Sequence, residues 1–130
     1  HCLGVKGVII PADRAAAITA TVIKASAGAA YWLPVTREVN LVRAIDYLKE
    51  KGFWIYGADA DQGMDIMQFA DAGPVCLVMG SEGRGIRPLV RKKCDFLLSI
   101  PMAGKLHSLN VSVAAGIILN EIARKQGRKN

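Results

Sequence analysis

Several kinds of protein are excluded by what this chain of 130 residues has little of. It has three cysteines, Cys2, Cys76 and Cys94, an odd number with no Cys-x-x-Cys pair, which argues against a disulfide framework and against a zinc site. Only two histidines occur, and with His107 the sole interior one no hydrolytic triad is evident. No apolar run approaches the roughly 20 residues that cross a bilayer. No stretch resembles a signal peptide, so no membrane partner and a cytoplasmic location are expected. Asp59, Asp61 and Asp65 invite a calcium reading, but an EF-hand loop starting at Asp59 would need Gly where Met64 stands and Glu where Ala70 stands. No metal is expected, and these aspartates read as a solvated loop.

What is present suits one small domain, residues 1–130. A hydrophobic fraction of 52% can fill a core. The net charge of +6 favours an anionic partner, for which nucleic acid is the commonest choice, although a basic surface kept for solubility accounts for the charge equally well. The chain opens on His1 rather than Met, and residues 1–5 read like the end of a helix and its turn; on that reading an N-terminal part is missing.

Short apolar runs alternate with helical periods. Strands are expected at Gly7–Ile10, Tyr31–Val35, Phe53–Tyr56, Val75–Met79 and Phe96–Ile100. Helices are expected at Ala15–Ala25, at Leu41–Lys51 behind an Asn40 cap, at Pro88–Lys93 and at Ser108–Lys125, with one helical turn near Ile66–Phe69. Such alternation predicts an α/β fold with a mainly parallel sheet and helices on both faces. Ligands then bind beyond the carboxyl ends of the strands, here in the segments 57–63, 80–85 and 101–107.

Two of those segments carry unusual chemistry. Gly80-Ser81-Glu82-Gly83-Arg84-Gly85 follows the most apolar strand, and its glycines admit close approach to the backbone. The spacing is neither the dinucleotide fingerprint nor a P-loop, and an ordinary tight turn would read the same way. Ser108-Leu109-Asn110-Val111-Ser112 opens the last helix, with Ser108 the natural cap. Asn110 then stands in a helix apolar all round, where burial would require every polar atom to be hydrogen-bonded. Arg84, Arg87, Arg91, Lys92 and Lys93 make either a wet helix face or a phosphate-neutralising patch.

Three segments together resemble the SpoU (TrmH) family of RNA methyltransferases. Leu77 to Ile86 is similar to its second signature. Ser99-Ile100-Pro101-Met102-Ala103-Gly104 with Ser108 to Ala114 is similar to its third, and Ser26-Ala27-Gly28-Ala29-Ala30 resembles its Ser-x-Gly-Ala segment. The branch resembled most is the one that modifies guanosine in large-subunit ribosomal RNA. The resemblance implies a SPOUT fold with a C-terminal trefoil knot, a homodimer, and S-adenosyl-L-methionine as methyl donor for a ribose 2′-hydroxyl. It implies cofactor contacts at Gly80, Ile100 and Leu109, with Gly57, Met102 and Gly85 beside them. Glu82, Ser108 and Asn110 are the implied catalytic residues; Arg84, Arg87, Lys105 and His107 are candidate RNA contacts by their charge and place beside these segments, with His107 equally readable as a solvated side chain. The family's first motif, of the form Asn-x-Gly-x-x-x-Arg, would lie upstream of Cys2 and is absent from the sequence, so the chain alone is expected to be catalytically incomplete. A transfer-RNA enzyme of the same family, a non-catalytic RNA-binding or dimerisation module on this fold, and a nucleotide-binding protein without transferase activity are the alternative readings.

Overall fold

The computed structural model describes residues 1–13, 17–71 and 73–127. These fall into two units, 1–44 and 45–130.

In the first unit β1 (Val8–Pro11) and β2 (Val35–Glu38) pair in parallel, Val8 opposite Val35 and Pro11 opposite Glu38. The strand expected at Tyr31–Val35 lies later than the spacing suggested. Ala29–Tyr31 is instead a 3-10 turn, whose N–H groups are taken by Ser26 and Gly28: Ala30 donates to Ser26 Oγ at 3.3 Å and Tyr31 to the Gly28 carbonyl at 3.0 Å. Proline has no N–H to give a ladder, and β2 begins directly after Pro34. The helix expected over Ala15–Ala25 is shorter. Residues 14–16 lie outside those described, 17–19 are not helical, and α1 is Ala20–Ala25. The extended Thr19 accepts from the Val22 N–H at 3.3 Å and fixes the start. α2 is Leu41–Glu50. Asn40 Oδ1 accepts from the Arg43 N–H at 3.1 Å, and Gly52, with φ of 85°, follows its end as a left-handed stop.

The second unit holds a four-stranded sheet in the order β4-β6-β3-β5, parallel throughout. Its strands are β3 (Trp54–Ala58), β4 (Met64–Asp65), β5 (Val75–Val78) and β6 (Phe96–Ser99). The expected single sheet is thus two parallel sheets, one in each unit. β4 is too short for periodicity to reveal; a 3-10 turn at Ile66–Gln68 follows it where a helical turn was expected. α3 (Pro88–Lys93) has the expected limits, set by proline at its first position and its basic last turn. The core joins Tyr56, Ile66, Phe69 and Leu98 to Ile118 and Ile122 of α4 (Val111–Lys125). Tyr56 stacks on Phe96 at 5.2 Å and meets Phe69 edge-on at 5.1 Å.

α4 differs from expectation in two ways. It begins at Val111, and its cap is Asn110, not Ser108: Asn110 Oδ1 accepts from the Ser112 N–H at 2.9 Å. Nor is it buried on every side, since Val113 is 50% exposed and Ile117 40%, while Ile118 and Ile122 face the core. Among the described residues no helix is long and apolar enough to cross a membrane.

Candidate active site

Parallel strands deliver their carboxyl ends to one edge of a sheet, and the loops that leave them converge there. In the second unit the segments leaving β3, β5 and β6 line a cleft of about 750 Å³. That volume lies within the range of about 300–1,000 Å³ usual for small-ligand sites. Gly80, Glu82, Arg84, Gly85, Ile100, Met102, His107, Ser108, Leu109 and Asn110 all line it. Three sequence candidates do not: Gly57, Arg87 and Lys105 lie outside the lining. Gly57 is a packing glycine, because a Cβ there would come within 2.9 Å of the Ile86 and Leu97 side chains. The lining after β3 begins one residue later and comprises Ala58, Asp59, Ala60 and Asp61.

The loop after β5 folds back on itself. Ser81 and Gly85 exchange two backbone hydrogen bonds, 3.1 and 2.9 Å long. Gly80 is enclosed by that fold: a Cβ on it would sit 2.3 Å from the Gly85 carbonyl carbon. The tight-turn reading of this glycine is therefore satisfied by the loop itself, and the loop also forms one wall of the cleft. Exposed at its tip, Glu82 accepts from Asn110 Nδ2 at 3.4 Å. Asn110 Oδ1 accepts from Ser112, both from its N–H and from its hydroxyl at 2.6 Å. One amide side chain thus caps α4 and ties the helix start to the glycine loop. Asn110 is exposed, so the expected buried asparagine is a solvent-facing one at the cleft.

Opposite stands an arrangement that the sequence did not announce. Asp59 Oδ1 accepts from the N–H groups of Asp61 and Gln62 at 3.0 and 2.9 Å, and Arg91 reaches Asp59 Oδ2 from α3 at 3.0 Å. Burial alone would raise the Asp59 carboxyl, but the two N–H groups and the guanidinium outweigh it and hold the pKa below the usual value. Arg91 is therefore an ion-pair partner within the cleft and not part of a free basic face. Lys93 pairs with Asp46 at 2.8 Å, and Lys49 with Asp95 at 2.9 Å. The one hint in the sequence was an acidic residue just past the end of a buried strand.

Burial pushes the Cys76 and Cys94 thiols up, so neither is a ready thiolate nucleophile. Among the described residues no three histidine, cysteine or acidic side chains gather as a metal ion would require. The cleft itself offers an organic ligand apolar Ile100, Met102 and Leu109, the backbone of the glycine loop, and the polar pair Glu82 and Asn110.

A family model described as the SpoU rRNA Methylase family matches residues 1–120. An uncharacterized tRNA/rRNA methyltransferase of Synechocystis sp. is 51% identical over 98% of this chain and 33% of its own length. A 23S rRNA (guanosine-2′-O-)-methyltransferase of Pectobacterium atrosepticum is 48% identical over 95% of this chain and 51% of its own. Among solved structures, the SpoU methyltransferase AviRb from Streptomyces viridochromogenes, crystallised in complex with the cofactor AdoMet, superposes with a TM-score of 0.86 at 29% identity. That match covers 96% of this chain and 51% of AviRb. The chain spans about half the length of the first curated relatives it matches, between 49% and 50%.

Proposed function

The chain belongs to the SpoU rRNA methylase family, and from that premise we propose that it is the donor-binding part of an S-adenosylmethionine-dependent RNA methyltransferase acting on a ribose 2′-hydroxyl. The observation that carries this reading is the convergence at one cleft of Gly80, Ile100 and Leu109 with Glu82, Ser108 and Asn110. The residues fit such a donor by their chemistry. Ile100, Met102 and Leu109 offer an apolar wall for a planar base, the loop backbone offers hydrogen bonds, and the Glu82 carboxylate complements a cationic centre. Bound there, the donor would supply a methyl already activated by a sulfonium.

What the chain itself contributes is binding and orientation, which can provide much of the acceleration when the transferred group is already activated. Asn110 holds Glu82 and the start of α4 in one arrangement, so the acceptor ribose would meet a fixed pair of polar groups. Arg84 and His107 line the same cleft and would meet the RNA backbone; Lys105 and Arg87 would contribute from outside it. The substrate favoured is a guanosine of large-subunit ribosomal RNA, the substrate named for the Pectobacterium relative. The Synechocystis name, which spans both RNA classes, keeps transfer RNA as the second reading.

The same premise extends to the fold and assembly. Residues 1–130 are one family catalytic domain, the C-terminal segment closes a trefoil knot, and two copies pair through the exposed side of α4. Calorimetric titration with S-adenosylmethionine tests the core of the proposal. Saturable binding by the wild type and weaker binding by Asn110→Ala are expected; a folded wild type that takes up no donor overturns it.

A further inference from the structure

We infer that Arg91 is a positioning residue for the donor: its guanidinium, closed on both Asp59 and Gln62, holds the loop after β3 in the shape that lines the cleft. The inference rests on the donor-site reading above.

Both ends of this loop are fixed without Arg91. The Asp59 N–H donates to the Leu98 carbonyl at 2.9 Å, so the loop leaves β3 still tied to β6. At the other end Ser99 Oγ donates to the Gly63 carbonyl at 2.8 Å. Gly63 lies so close to β6 that a Cβ would fall 2.3 Å from the Leu98 carbonyl carbon. Between these anchors the apex, Ala60 to Gln62, is exposed, and Ala60 and Asp61 line the cleft. The Asp59 carboxylate gathers the apex from inside through the N–H groups of Asp61 and Gln62. Arg91 then grips it from α3: Nε meets Asp59 Oδ2 at 3.0 Å, while Nη2 reaches Asp59 Oδ2 at 3.0 Å and Gln62 Oε1 at 2.8 Å. Arg91 itself lines the cleft, so the clamp stands at the ligand's edge.

The grip depends on shape as much as on charge. A guanidinium presents several donors in a rigid planar fork and spans two acceptors at once, whereas a lysine ammonium is a point charge on a flexible stem. Without the clamp a ligand would have to order the apex as it bound, and that ordering cost is subtracted from affinity.

Calorimetry with S-adenosylmethionine, paired with thermal melts, tests the role on the whole chain. Arg91→Met is expected to bind roughly ten-fold more weakly, which corresponds to the cost of ordering about one loop residue. Arg91→Lys should recover little of that loss, and Gln62→Leu should fall between it and the wild type. Asp46→Asn, which breaks the other α3 ion pair outside the cleft, is the stability control and should bind as the wild type does. Donor affinity should fall in Gln62→Leu while its melting temperature stays with that of Asp46→Asn; an effect on folding alone would not separate the two. Wild-type affinity in Arg91→Met or in Gln62→Leu overturns the inference, as does full recovery in Arg91→Lys. Should Arg91→Met not fold, Gln62→Leu decides. Absence of binding by folded wild type overturns the donor-site reading and this inference with it, whereas binding that these variants leave unchanged overturns the inference alone.

Discussion

Asn110 shows how one side chain can carry two roles that mutation separates. Its carbonyl oxygen caps α4 at Ser112, and its amide N–H reaches Glu82 of the glycine loop. Asn110→Ala removes both, and loss of a cap costs about 1 kcal/mol. Asn110→Asp keeps the acceptor oxygen and adds a negative charge where a helix N-terminus favours one, but it can no longer donate to Glu82. Urea unfolding should therefore place Asn110→Ala about 1 kcal/mol below the wild type and Asn110→Asp within about 0.5 kcal/mol of it. In an assay of the proposed methyl transfer, activity should fall in both. Full activity in Asn110→Asp would remove the amide from any part in the reaction.

At the scale of elements, the loop after β3 carries a pH dependence of its own. The Asp59 carboxyl titrates below its ordinary value of 3.8, through the balance of burial, two N–H groups and Arg91. A carboxyl with a lowered folded pKa adds stability that is present above the unfolded value and lost as pH falls through the folded one. The stability gap between wild type and Asp59→Asn should thus be constant from neutral pH down to about 3.8 and close below it, as measured by urea unfolding at stepped pH. A gap that widens on acidification would contradict the hydrogen-bond pattern at Asp59. How far these elements were legible in the sequence depended on how local their causes are. α3 and α2 were readable because Pro88, Asn40 and Gly52 act within a turn of themselves. α1 and α4 were misjudged at their starts: Thr19 and Asn110, not an earlier residue, supply the capping oxygen, and several polar residues were eligible in each case. β4 and the Arg91 clamp were invisible, because they depend on β6 and α3 arriving alongside from 29 to 36 residues away. The glycine loop and the Ser108 to Ser112 segment were found by pattern, yet their meeting through Glu82 and Asn110 is a product of folding alone.

For the whole molecule the open question is what covers the outer side of α4. Residues four apart share a helical face, and Val113 and Ile117 are such a pair, 50% and 40% exposed. Leu109, just before the helix, and Val111, at its first residue, are exposed apolar side chains at the cleft rather than on that face. Contiguous apolar surface of this kind marks an association site more often than a solvated one, and a second copy of the chain is the occupant proposed above. Because α4 starts at the cleft, with Val111 and Ala114 in the lining, association along this helix and donor binding should be coupled. Val113→Glu combined with Ile117→Glu places charges where an apolar face would be desolvated, without touching Ile118 or Ile122 of the core. Sedimentation velocity should show the wild type as a dimer and this variant as a folded monomer, with donor affinity reduced. A wild type that sediments as a monomer at every concentration and still binds the donor would detach the cleft from dimerisation; the exposed face of α4 would then belong to the RNA or to a segment outside these residues.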